Sequence, residues 1–155
     1  MFGISTLMSL VSSVVVARLY VGPWLRTMNR DQALKVLLAP HMFFRFIGLS
    51  FLLPGVVSPS LPAAFAVPAA YGDFFAGILA IAATLALSRR AAWAKAFVWV
   101  FNVWGAADLL CAVIQGLRVH IEPGALGAAF FIPTAIMPPL LVTHGLIFRL
   151  LARSK

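Results

Sequence analysis

Arg45, Asp73 and Asp108 each interrupt a stretch of sequence that is otherwise apolar. An ionised side chain in such surroundings is costly and marks a functional site by default. One guanidinium with carboxylates makes an ion pair that pins helices together, which is the purely structural reading. Two carboxylates against one guanidinium leave a surplus. If all three share a site, one carboxylate is protonated or is partnered by a cation or a cationic ligand that the sequence does not supply. At a rise of 1.5 Å per residue, Asp73 is expected roughly 10 Å below the outer face, Asp108 roughly 13 Å and Arg45 roughly 18 Å. These depths define one polar layer in the outer half of a bilayer.

Other residues point at the same layer. Asn102, Gly105 and Asp108 follow at three-residue steps and form a slowly turning stripe of one helix. Gly105 permits close approach of a neighbouring helix, and Asn102 suits an interhelical hydrogen bond. Pro133, Pro138 and Pro139 cannot donate backbone hydrogen bonds, which frees the carbonyls of Ala129, Thr134 and Ala135. Freed carbonyls must face protein, water or a ligand and not lipid. Arg45, with five N–H groups, is the expected donor to them, and the Thr134 hydroxyl is a further candidate. Trp104 lies one turn from Asp108 and either contacts the same cavity or packs against lipid. His144 and His41, on different spans, are candidates for ligating a b-type haem, or else each makes an interhelical hydrogen bond. His120, beside Glu122, reads as solvated.

The elements that must hold these groups are membrane helices. Of 155 residues, 63% are hydrophobic and 10% charged, against about 25% charged in a soluble domain. So short a chain cannot hide that much apolar surface in one core. Five segments approach the roughly 20 residues a helix needs to cross hydrocarbon: residues 2–20, 36–57, 65–87, 91–117 and 127–151. The expected fold is an all-α polytopic bundle in a single integral membrane domain over residues 1–155. Asn29 is a helix cap with Asp31 in its first turn. The stretch 28–39 then reads as an interfacial helix entering the second span, bent at Pro40. The loop 58–68 holds Pro59, Pro62 and Pro68 and no charge.

Arg18, Arg26, Arg30, Lys35, Arg89, Arg90, Lys95, Arg149, Arg153 and Lys155 fall at alternate ends of these spans, with Arg118 alone on the other side. The positive-inside bias then puts the N-terminus outside and the C-terminus in the cytoplasm. Residues 1–16 are apolar, but the first cation, Arg18, follows them, the reverse of a secretory signal. A retained first span in a cytoplasmic (inner) membrane is expected. The formal charge of +8 is explained by orientation and anionic headgroups; no soluble basic module for nucleic acid is present. Cys111, the single cysteine, excludes an intrachain disulfide and a multi-cysteine zinc site; it reads as a small buried hydrophobe. Trp24 and Trp93 sit at span ends as interface anchors. The segment following Asp73 loosely echoes the one following Asp108, but the first Asp is early in its helix and the second late, which argues against duplication. No phosphate loop, metalloprotease helix or nucleophile elbow occurs.

In these pieces the chain resembles a group of small, largely uncharacterised bacterial integral membrane proteins. The resemblance covers roughly residues 44–151. Its carriers are Phe44-Arg45-Phe46-Ile47-Gly48, Gly72-Asp73, Asn102-Val103-Trp104-Gly105-Ala106-Ala107-Asp108, Ile132-Pro133 with Pro138, and His144. It implies a membrane bundle and brings no activity. The first span, the 28–39 stretch and His41 fall outside it.

Three functions remain open at the level of sequence. The polar layer lines a cavity that binds or transports a small or lipophilic ligand, with proton or cation coupling. Or Asp73 and Asp108 serve general acid–base chemistry on a lipid-soluble substrate, provided their helices are adjacent. Or the layer only holds helices together in an accessory subunit. A bundle of five spans is small for a transporter, so a homo-oligomer or a partner membrane subunit is expected.

Overall fold

The structure, a computed structural model, describes residues 2–152. Met1, Arg153 and Lys155, which enter the sequence argument above, lie outside the described residues. The described residues form no β-strand, only an isolated bridge between Pro54 and Val57. Five helices are long and apolar enough to cross a membrane: α1 Phe2–Arg26, α2 Arg30–Leu52, α3 Ala63–Ser88, α4 Ala94–Arg118 and α5 Ile132–Ala152.

The second span differs from expectation. No separate interfacial helix precedes it. Asn29 and Gln32 form a reciprocal capping box, and the helix continues through Pro40 to Phe44. Leu34, Leu37 and Leu38 on this stretch are buried in the bundle, so it packs as part of the helix Arg30–Leu52, which is long and apolar enough to span a membrane. From Arg45 to Leu52 the same span tightens into a 3-10 helix. Eight residues is a long run for that geometry, whose side chains three apart eclipse one another. Arg45, Gly48 and Phe51, its three buried residues, therefore stand in one column facing α3.

α3 is the centre of the bundle, packing against both halves of α2 and against α4. It achieves this with small side chains. Ala66, Ala69, Ala70, Asp73, Ala76, Gly77, Ala80 and Ala83 are all buried, at spacings of three and four that lie on one face. Such a stripe lets backbones approach closely, which is how helices associate where lipid removes the hydrophobic driving force. α1 is peripheral. It rests on α5, and its first fifteen residues bury none. Ile4, Leu7, Met8, Val11 and Leu19 face outward, as they can in hydrocarbon.

The fifth span begins later than expected, at Ile132. Before it, Pro123–Phe130 forms a 3-10 segment broken at Gly127, where φ is 52°. There the chain hydrogen-bonds to the 53–62 loop: Ala128 N–H donates to the Val56 carbonyl at 2.9 Å, and Ser58 N–H to the Ala125 carbonyl at 3.0 Å. A Cβ at Gly127 would overlap the Val56 carbonyl, so this approach requires glycine in both respects. Pro133 is absorbed by a π turn over Ile132–Ile136, in which Met137 N–H donates to the Ile132 carbonyl.

Two apolar clusters fill the bundle. One, at the end holding Arg26, Arg30 and Arg89, packs Leu34, Leu37, Leu38, Ala83, Phe101 and Ile147. The other, at the N-terminal end, packs Phe51, Phe65, Ala69, Leu126, Ala129 and Ile132. Cys111 belongs to neither. It is exposed on the outer surface of α4, not buried as its apolar neighbours suggested.

Candidate functional site

The polar layer lies between these two clusters, and Arg45 is its hub. Arg45 is fully buried at the junction where α2 changes geometry. Four of its five N–H protons have partners. Nη1 donates to Asp73 Oδ1 of α3 and, at 2.8 Å, to Asp108 Oδ2 of α4. Nη2 donates to the Gly105 carbonyl at 2.5 Å and to His144 Nε2 of α5 at 3.0 Å. One side chain thus binds three other helices. The fifth donor, Nε, is buried and has no hydrogen-bond partner among the described residues.

The hydrogen-bond chemistry fixes the tautomers behind this hub. Arginine offers only protons, so His144 Nε2 accepts with its lone pair and the ring proton resides on Nδ1. Nδ1–H then donates to Asn102 Oδ1 at 2.7 Å, and the Asn102 amide N–H returns a bond to the His144 carbonyl at 3.2 Å. Thr143 donates its hydroxyl proton to the Leu140 carbonyl at 2.7 Å. Its oxygen therefore accepts from His41 Nε2–H at 2.9 Å.

Three glycines make room for the charges. A Cβ at Gly48 would overlap the Asp73 carboxylate, and one at Gly72 would overlap that of Asp108. A Cβ at Gly105 would lie 2.6 Å from His144 Cε1 and 2.9 Å from Arg45 Nη2. Only Gly105 is legible as a close-approach residue from its stripe. The signal for Gly48 and Gly72 is their spacing: Gly48 follows Arg45 by one 3-10 turn, and Gly72 adjoins Asp73.

A cavity of about 310 Å³ lies in the N-terminal half, with Asp73 and Asp108 in its lining. Its walls are apolar, among them Phe51, Phe65, Leu126, Ile132 and Met137, with His120 near the loops. Asp73 and Asp108 each stand ten residues from the ends of α3 and α4 at that side. That places them roughly 15 Å from those helix ends at 1.5 Å per residue, at matching levels on the two helices.

Arg45, Asp73, Asn102, Asp108 and His144 therefore converge. Thr134 and Trp104 do not join them. The Thr134 hydroxyl donates to the Phe130 carbonyl of its own segment at 2.7 Å. Trp104 is half-exposed, donates to the Gly72 carbonyl at 3.4 Å and packs near Phe75. It ties α4 to α3 from outside the cavity. The carbonyl that Arg45 binds is Gly105 on α4, not one freed by proline on α5. A haem held by His41 and His144 does not fit this arrangement. Their ring centroids are 4.4 Å apart, in van der Waals contact, where a macrocycle would have to lie between them. Both nitrogens of His144 are engaged by protein.

Fold and site define a five-helix bundle, apolar enough to span a membrane, with a buried arginine–carboxylate–histidine cluster whose two carboxylates line an apolar cavity. The chain belongs to the family described as Domain of unknown function (DUF8737), whose model matches residues 1–152. No curated protein and no solved structure matches the chain.

Proposed function

We propose that this protein binds a small lipophilic ligand in the cavity that ends on Asp73 and Asp108, as the substrate site of a membrane carrier. The supporting observation is the asymmetry of the bundle. One half encloses a space of about 310 Å³, at the lower end of the range for small-molecule sites. The other half is packed with side chains of zero or near-zero exposure. Such a shape suits a carrier caught open to one side, and not a channel. Passage across would require the packed half to reopen, with a proton or small cation exchanged at the surplus carboxylate. The cations Arg26, Arg30, Arg89, Arg90, Lys95 and Arg149 all lie at the packed end. By the positive-inside bias that end faces the cytoplasm, which puts the N-terminus and the cavity mouth outside a cytoplasmic membrane.

Native mass spectrometry of protein released from its membrane tests the binding reading. A small-molecule adduct is expected on the wild type and not on Ala112→Phe, which fills the cavity. Matching adduct-free spectra, or an adduct retained by Ala112→Phe, would count against it.

One observation favours a second reading. Asp73 and Asp108 sit on adjacent helices, share one guanidinium and both face the cavity. That is a geometry general acid–base chemistry can use. A membrane-lipid component that changes on loss of the gene, and equally in Asp108→Asn, would select an enzyme over a carrier.

A further inference from the structure

We infer that the cavity is built for a molecule with an apolar body and a single cationic, hydrogen-bond-donating head, such as a protonated amine. The inference rests on the ligand-binding reading and specifies its chemistry. The polarity of the cavity has one sign. Arg45 has zero exposure and directs its bound N–H groups away from the open space, into the carboxylates, Gly105 and His144. The charged residues that line it are the two carboxylates, Asp73 and Asp108. Asp73 Oδ2 lies against Gly48 and Asp108 Oδ1 against Gly72; neither oxygen receives a hydrogen bond among the described residues, and the two side chains are 10% and 12% exposed. Ionised carboxylates accept and cannot donate. The remaining polar lining is Thr6, whose hydroxyl is used within its own helix at 3.2 Å, and His120 by the loops.

A ligand head that reaches the carboxylates while both are ionised must therefore donate. It must also offset the charge left when one guanidinium faces two carboxylates, because an uncompensated buried charge is costly. A hydroxyl head supplies the hydrogen bond and not the charge. A carboxylate or phosphate head supplies neither. The rest of the molecule meets Phe51, Phe65, Leu126, Ile132 and Met137, and its size is set by a volume of about ten waters' share of liquid.

The probes are n-octylamine, n-octanol and n-octanoate, titrated calorimetrically into nanodiscs carrying the full chain and into empty nanodiscs. The protein should take up protonated octylamine about tenfold or more tighter than octanol, as expected where a site is built for a polar partner, with no uptake of octanoate. Asp108→Asn should bring octylamine down to the octanol level. Equal binding of amine and alcohol, both blocked by Ala112→Phe, would overturn the cationic head and leave the cavity reading standing. Tightest binding of octanoate would overturn it likewise. No binding by any probe, or binding that Ala112→Phe leaves unchanged, would remove the cavity reading as well.

Discussion

Arg45→Met should melt at least about 10 °C below the wild type, given the few degrees per kcal/mol typical of chains this size. The substitution keeps the length of the side chain and removes every bond it makes. Two carboxylates on adjacent helices then face each other without a cation, the Gly105 carbonyl loses the Arg45 N–H, and His144 Nε2 loses its donor. Removing one partner of a buried ion pair typically costs about 3–5 kcal/mol, because the other charge remains buried. Fluorescence-detected unfolding in mild detergent measures the change. Adding Asp73→Asn and Asp108→Asn to Arg45→Met should recover much of the loss, since most of it is unpaired charge. Arg45→Lys should fall between, as an ammonium supplies the charge but not the planar fork that reaches α3, α4 and α5 together. A single Arg45→Met variant within about 2 °C of the wild type would contradict the assignment of Arg45 as the hub.

Gly105→Ala and Gly145→Ala should shift stability in opposite directions. The same methyl group is added to two membrane helices in each case. At Gly105 it arrives 2.6 Å from His144 and 2.9 Å from Arg45, both fully buried and held by other bonds. Neither can retreat without breaking the network, so a loss of about 1–3 kcal/mol is expected for overpacking. At Gly145 nothing lies within 4 Å. There the gain in helix propensity dominates, about 0.5–1 kcal/mol in favour of alanine. The same melting experiment reads both. Gly105→Ala should also reduce ligand uptake through displacement of Arg45, while Gly145→Ala leaves it unchanged.

The sequence makes the layer visible because charges inside apolar runs are rare and therefore informative. Arg45, Asp73 and Asp108 stand out in this way, and three-residue steps back from Asp108 add Gly105 and Asn102. Helix identity was legible for the same reason: five apolar runs of sufficient length leave little choice. What was not legible depends on local geometry that composition does not encode. The change of α2 from α to 3-10 at Arg45 aligns Arg45, Gly48 and Phe51; an ordinary helix would have spread them. The cap at Asn29 is readable, but the continuation of that helix through Pro40 into the bundle is hidden by Arg30 and Lys35 set among its apolar residues. Thr134 was misplaced because proline frees a carbonyl without saying which neighbour takes it. In this chain the Thr134 hydroxyl is taken by the Phe130 carbonyl, which no proline frees, and the helix passes Pro133 in a π turn. The histidines are legible as candidates on different spans, but their direct ring contact depends on the close approach of α2 and α5 around Phe101.

The central claim is that the carboxylates close the blind end of a cavity open on one side only. Thiol accessibility tests it most directly, since Cys111 is the sole cysteine and Cys111→Ala gives a clean background. On that background, Ala112→Cys lies in the cavity wall and Ala83→Cys in the packed half. Each is exposed from either face of the membrane to a trimethylammonium-bearing and a sulfonate-bearing methanethiosulfonate. Ala112→Cys should react from the N-terminal face alone, about tenfold faster with the cationic reagent, drawn by the two carboxylates. Ala83→Cys should react from neither face. Equal rates for the two reagents at Ala112→Cys, or labelling of Ala83→Cys from the opposite face, would contradict the account.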